Sequence, residues 1–134
     1  MEKRKASSSR RTSASDVTRR PPEIDAAVDH FLATACDRSR RYILELLACP
    51  RQDAERPEVY ERRSGEIAQA LGLSNSTTSE HLRLLAEAHL VVARREGNTT
   101  YYRLSNHALV GAFQELLHGL DAHYRLLGPP GETV

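Results

Sequence analysis

The sequence predicts one mainly α-helical domain that carries a single β-hairpin, and three observations predict it. The 134 residues suffice for one core of ordinary size and not for two. Apolar residues recur at intervals of three and four along five segments, the spacing of one helix face. A single stretch, residues 90–104, instead sets β-branched and aromatic residues on both sides of Gly97-Asn98, the pattern of a hairpin. Composition agrees: 40% of residues are hydrophobic but only 5% are aromatic, with no Trp, so the core must come from Leu, Ile, Val and Ala.

Residues 1–21 form a basic tail. They are rich in Ser, Arg and Lys and lack the large apolar side chains needed to offset the entropy of ordering, so disorder is expected. The first twenty residues hold seven basic and two acidic groups, a net +5 that leaves −4 for the rest of a chain whose total is +1. Such a tail either keeps the chain soluble or adds nonspecific phosphate contacts. Pro21 and Pro22 mark the domain boundary, and Pro22 suits a first helical turn. The domain proper is expected over residues 22–127, followed by a short C-terminal tail, 128–134.

The first helix is expected over Glu23–Ala35, with Ile24, Ala27, Val28, Phe31 and Leu32 as its apolar stripe. Asp37 is placed to cap a second helix whose buried face is read as Tyr42, Ile43, Leu46 and Leu47, and Pro50 ends it. From Pro50 to about Arg63 the chain is charged, contains Pro57 and shows no apolar period, so it reads as a long loop. Ser64–Leu71 then forms a short amphipathic helix that stops at Gly72. Ser74 starts another, running to about Ala88 with Thr78, Leu82 and Leu85 turned inward. Two short helices joined by a glycine turn make a helix-turn-helix.

The outward face of the second of these helices carries Ser76, Thr77, Ser79, His81 and Arg83. Short polar side chains let a helix backbone approach base edges in a major groove, so Ser76, Thr77, Ser79 and His81 are candidate DNA-reading residues. Arg83, and on the hairpin Arg94, Arg95 and Arg103, are candidate phosphate contacts. Ser105 is placed to cap the last helix, which runs to about Leu127 with a broad apolar face before Gly128-Pro129-Pro130-Gly131 ends it. The fold class is therefore a winged helix-turn-helix.

Three motifs resemble the arsenic-repressor-like (ArsR/SmtB) family of transcriptional regulators. The run Ile67 to Ser74, followed by Ser76 to Leu85, is similar to its helix-turn-helix; Arg94-Arg95-Glu96-Gly97 with Tyr101-Tyr102-Arg103-Leu104 is similar to its wing. The resemblance extends from about Ile24 to Tyr124. It implies a homodimer held by the first and last helices, with double-stranded operator DNA as partner and derepression when an effector binds. The apolar excess on those two helices agrees with a self-associating chain, and half-sites one DNA turn apart match a two-fold protein.

The resemblance also frames the effector. Soft-metal sensors of the family carry a Cys-x-Cys pair at positions occupied here by Arg63 and Gly65, so a thiolate site of that type is excluded. Another branch binds zinc or a similar divalent ion between its last helices, and this chain offers His107, His118 and Asp121 there, with Ser105 where the family has Asp. Eleven residues along a helix bring His107 and His118 to one face but about 16 Å apart, so a metal site would join two antiparallel copies. Surface histidines beside a dimer interface are the plainer reading. Cys36 and Cys49 match no metal-knuckle or disulfide pattern and read as small buried thiols at helix ends, a redox sensor being the alternative. Redox, small-molecule or constitutive regulation would each use the same fold.

No Ser/His/Asp set, carboxylate pair or phosphate loop has credible spacing, so an enzyme is not expected. A winged helix serving only protein contact would need neither the polar helix face nor the arginine wing. With no apolar run of membrane-spanning length and no signal-like segment, the expected location is cytoplasmic.

Overall fold

The structure, a computed structural model, describes residues 20–50 and 60–131. Nearly all of the basic tail therefore lies outside the described residues. The first helix, α1 (Pro22–Ala35), begins with proline in its first turn, where the missing N–H would have no intrahelical partner anyway. Only Cys36 and Asp37 separate it from α2 (Arg38–Leu47). That sharp junction is closed from both sides. Asp37 caps α2 by accepting from the Arg40 N–H at 3.0 Å, while Arg40 Nε and Arg41 NH1 donate back to the Thr34 and Ala35 carbonyls that end α1.

The cap makes stability at this junction depend on pH. The hydrogen bond from the Arg40 amide, aided by the nearby Arg40 and His81 charges, holds the Asp37 carboxyl below its ordinary value. A lowered folded pKa means the contribution is fully present above the unfolded value near 3.9 and fades as pH falls through the folded one. Asp37→Ala is expected to lower stability by about 1 kcal/mol at pH 7 and by less at pH 3, measured by urea unfolding. Equal losses at both pH values would remove the charge from this account.

The expected loop before the helix-turn-helix is not wholly irregular. Arg62–Arg63 form a short strand, β1, paired antiparallel with Tyr102 and Tyr101. Arg62 also donates to the Cys49 carbonyl at 3.1 Å, which ties β1 to the end of α2. Against expectation Cys49 and Cys36 are both exposed, since each follows the last turn of its helix and leaves the apolar face. Next come α3 (Ser64–Leu71) and α4 (Asn75–Glu87), then the hairpin strands β2 (Val91–Glu96) and β3 (Thr99–Leu104), and finally α5 (His107–Leu127). The sheet order is β1-β3-β2.

Two glycines make the turns. Gly72 takes a left-handed φ of 69° after α3, and the Leu73 N–H reaches back to the Ala68 carbonyl at 2.9 Å, so the chain reverses into α4 within three residues. Gly97 has φ 63° in a two-residue hairpin loop. Asn98 stays on the negative side, the sign pattern of a II′ turn.

The core lies where α2, α3 and α4 meet the base of the hairpin. Ile43, Leu44 and Leu47 of α2, Ile67 of α3, Leu82 and Leu85 of α4 and Leu104 of β3 are all buried, joined by Val110 of α5. The buried face of α2 thus differs from expectation. Tyr42 is half exposed and Leu44 takes its place, because a ten-residue helix with apolar residues at 42, 43, 44, 46 and 47 allows two overlapping stripes. The cap of α5 also shifts by one: Asn106 accepts from the Leu109 N–H at 3.0 Å, while Ser105 donates to the His89 carbonyl.

Candidate nucleic-acid interface

Helix α4 is set into the body by one side only. Thr78, Leu82 and Leu85 are fully buried, and Ser76, Thr77 and Ser79 are exposed on the other side. The first turn is fixed by Ser74, whose hydroxyl accepts from the Thr77 N–H at 3.1 Å and donates to Thr77 Oγ1 at 2.9 Å. The Thr77 hydroxyl keeps its own proton for an outside acceptor. An exposed, polar, well-capped helix end held by a buried stripe is the geometry a groove-reading helix requires.

His81 departs from that set. Its side chain is 15% exposed and lies against the α1–α2 junction, with Nε2 3.9 Å from Asp37 and Nδ1 3.4 Å from Arg40. The sequence contains the signal: His81 stands three residues after Thr78 and four before Leu85, on the edge of the buried stripe. In this conformation it braces α4 against α2 rather than facing outward with Ser76 and Ser79.

The four arginines divide more sharply than their spacing suggests. Directly opposed residues of an antiparallel pair share a face, and faces alternate along each strand. Val91 with Leu104, Ala93 with Tyr102 and Arg95 with Thr100 form one row, which starts in the core, so Arg95 lies on the helix-facing side at the hairpin tip. Its Nε donates to the Gly97 carbonyl at 3.3 Å. Arg94 and Arg103 occupy the opposite face with Tyr101.

Two of the arginines are also heavily paired. Arg83 lies between Glu80 and Glu87 on its own helix and hydrogen-bonds both. Arg94 donates Nε and NH2 to the two oxygens of Glu61 at 2.9 and 2.8 Å, donates NH1 to Glu96 at 2.8 Å, and stacks 4.6 Å from the Tyr101 ring centre. Hydrogen bonding by Arg94 holds the Glu61 carboxyl below its usual range, and the Arg94 guanidinium is raised in turn. Nothing in the sequence alone marks Glu61. Thirty-three residues separate it from Arg94, and no local pattern carries such a pair.

The candidate metal ligands lie on α5 and are all exposed. His107 sits edge-on to Tyr60, ring centres 4.7 Å apart, and Asp121 accepts from Arg125 Nε at 3.0 Å. Among the described residues no three His, Cys, Asp or Glu side chains converge. The three residues therefore do not fit a metal within one chain.

Both outer helices keep apolar side chains in the open. Ile24, Val28 and Leu32 of α1 and Leu116, Leu120 and Tyr124 of α5 are 41–55% exposed. A T-shaped contact between Phe31 and Phe113, centroids 5.4 Å apart, joins the two helices at one point. Among the described residues no helix is long and apolar enough to cross a membrane.

Comparison with known proteins reaches the same fold. A model of the bacterial regulatory protein, arsR family, matches residues 58–92, which span β1, α3, α4 and the first strand residues of the hairpin. The transcriptional activator HlyU of Vibrio cholerae serotype O1 is 45% identical over 56 residues, 42% of this chain. The chain thus spans about half the length of that curated relative, 51%. The solved structure of HlyU from Vibrio cholerae N16961 superposes with a TM-score of 0.56 at 32% identity, covering 75% of this chain and 97% of that one. The homodimeric winged helix-turn-helix DNA-binding domain Mb0332 of Mycobacterium bovis, described as a possible ArsR-family regulator, superposes at 0.59 with 29% identity over 83% of this chain and 92% of that one. With motif order, hairpin register and relatives in agreement, the chain belongs to the ArsR family of bacterial regulatory proteins and folds as a winged helix-turn-helix.

Proposed function

We propose that the chain acts in the cytoplasm, without catalysis, as a homodimeric repressor that binds double-stranded operator DNA by placing one α4 in each of two successive major grooves. The observation that carries this is the two-sidedness of α4. Thr78, Leu82 and Leu85 anchor it while Ser76, Thr77 and Ser79 stand clear as donors and acceptors for base edges. The half-exposed apolar side chains of α1 and α5 supply a self-complementary surface for the second copy. Arg95 at the hairpin tip and Arg103 reach for phosphates, with Arg83 and Arg94 available once their carboxylates release them.

The test is a fluorescence-anisotropy titration against the DNA upstream of the protein's own gene, with a scrambled duplex as competitor. Preference for the upstream sequence supports the reading; equal binding to both, or none, leaves a winged helix used for protein contact. Arg95→Ala is expected to weaken both duplexes alike and to lower the salt slope by about one. An unchanged slope removes Arg95 from the phosphate contacts.

Repeating the titration with chelator and then zinc tests a site formed by His107 of one copy with His118 and Asp121 of the other. Zinc would weaken binding by about 1–3 kcal/mol if such a site drives release. Indifference to zinc points to a redox, small-molecule or constitutive regulator instead. The sign of regulation has a second reading, because the curated relative is a transcriptional activator. Deleting the gene raises transcription from the operator promoter if the chain represses and lowers it if the chain activates.

A further inference from the structure

We propose that Glu61 is an internal rival of the DNA phosphate: it occupies Arg94 in the DNA-free protein and so limits sequence-independent binding by the wing. The inference rests on the DNA-binding reading above and assigns Glu61 an affinity-limiting role within it.

The geometry supports a rival rather than an incidental surface pair. Both carboxylate oxygens of Glu61 meet two nitrogens of Arg94, the fork-to-fork arrangement that a phosphate would also use, and Glu96 takes the third nitrogen. Arg94, Glu61 and Glu96 together carry a net charge of −1, which Arg103, on the same face and within electrostatic reach of Glu61, brings to zero. An approaching phosphate therefore meets a neutral cluster where the sequence alone promises two cations.

The fold holds Glu61 in place. It directly precedes β1, whose Arg63 pairs with Tyr101, and Tyr101 is also the partner of Arg94 on the other side of β3. One strand residue thus sets both ends of the ion pair, and the Tyr101 ring lies under the guanidinium. The Glu61 side chain is only 18% exposed against 46% for Arg94. Little side-chain freedom is left to lose, so the usual entropic weakness of exposed pairs is reduced here. Arg83 offers the contrast. Its partners Glu80 and Glu87 are more than half exposed on the same helix, and either can swing aside into water.

Withholding one phosphate contact reduces affinity for every sequence and leaves base contacts by α4 a larger share of the total. The ratio of operator to scrambled binding stays as the base contacts set it, and what falls is the absolute affinity for DNA of any sequence, because sequence-independent affinity comes from phosphates.

The experiment measures binding of the full chain to operator and scrambled duplexes over a range of salt, for wild type and for Glu61→Gln, Arg94→Ala, the double variant and Glu80→Gln. Glu61→Gln is expected to tighten the scrambled duplex by about threefold to tenfold at low salt and to steepen the salt slope by about 0.9. Arg94→Ala should cancel that gain in the double variant, and Glu80→Gln should change binding less. Thermal melts report folding, and Glu61→Asp, too short to span the same distance, supplies a second variant expected to tighten binding if Glu61→Gln unfolds. Unchanged or weaker binding by folded Glu61 variants overturns the proposal and makes Glu61 a support for Arg94. No DNA binding by wild type overturns the DNA-binding reading itself, and this inference with it.

Discussion

Replacing Leu32 and Leu116 with Asp is expected to leave each chain folded, to abolish self-association and to weaken operator binding by about a hundredfold or more. Both side chains are more than half exposed in the single chain, so neither substitution opens the core around Ile43, Leu47 and Leu82. What they disrupt is the exposed apolar surface of α1 and α5, which touch where Phe31 meets Phe113. Bringing a carboxylate into an apolar interface without a partner is strongly unfavourable, and two-fold symmetry places every substitution there twice. The loss of DNA affinity follows from geometry. Joined recognition helices bind the second half-site as an intramolecular event, and separated ones do not. Sedimentation analysis and anisotropy on the same preparation check both parts. A variant that stays dimeric, or a monomer that still binds at wild-type affinity, contradicts the assignment of this surface.

Leu82→Ala and Ser79→Ala, three residues apart on α4, are expected to fail in opposite ways. Leu82 is fully buried between α2 and the hairpin base, and truncating it should reduce stability by about 2–5 kcal/mol, much of what a domain this size has in total. Urea unfolding at a fixed protomer concentration measures this, since stability of an associating chain depends on concentration. Ser79 is exposed, so its loss should leave the urea midpoint within about 0.5 kcal/mol while narrowing the preference for operator over scrambled DNA. A large stability loss at Ser79, or none at Leu82, would reverse the orientation given to α4.

How much of this was legible in the sequence depended on distance along the chain. The stripe Thr78, Leu82 and Leu85, the Asp37 cap and the Gly72 turn follow from residues within one or two helical turns, and all appear as expected. Strand β1 was hidden because Arg62–Arg63 has no apolar alternation, and its pairing comes from the free edge that β3 offers. The α5 cap fell on Asn106 instead of Ser105 because adjacent residues with equal capping capacity compete, and Ser105 is drawn to the His89 carbonyl. Among candidate site residues, Ser76, Thr77 and Ser79 stand exposed where periodicity put them. His81 and Arg94 do not stand free, since Asp37, Arg40 and Glu61 reach them from distant parts of the chain. For His81 the edge of the buried stripe is the trace that periodicity offers, whereas the pairing of Arg94 with Glu61 leaves none.

Hydroxyl-radical footprinting of the full chain on its upstream DNA tests the central claim most directly. Two protected patches related by two-fold symmetry and centred about one helical turn apart are expected, with protection lost together in the Leu32/Leu116 variant. A single patch, or uniform protection along the fragment, would contradict a symmetric pair of reading helices.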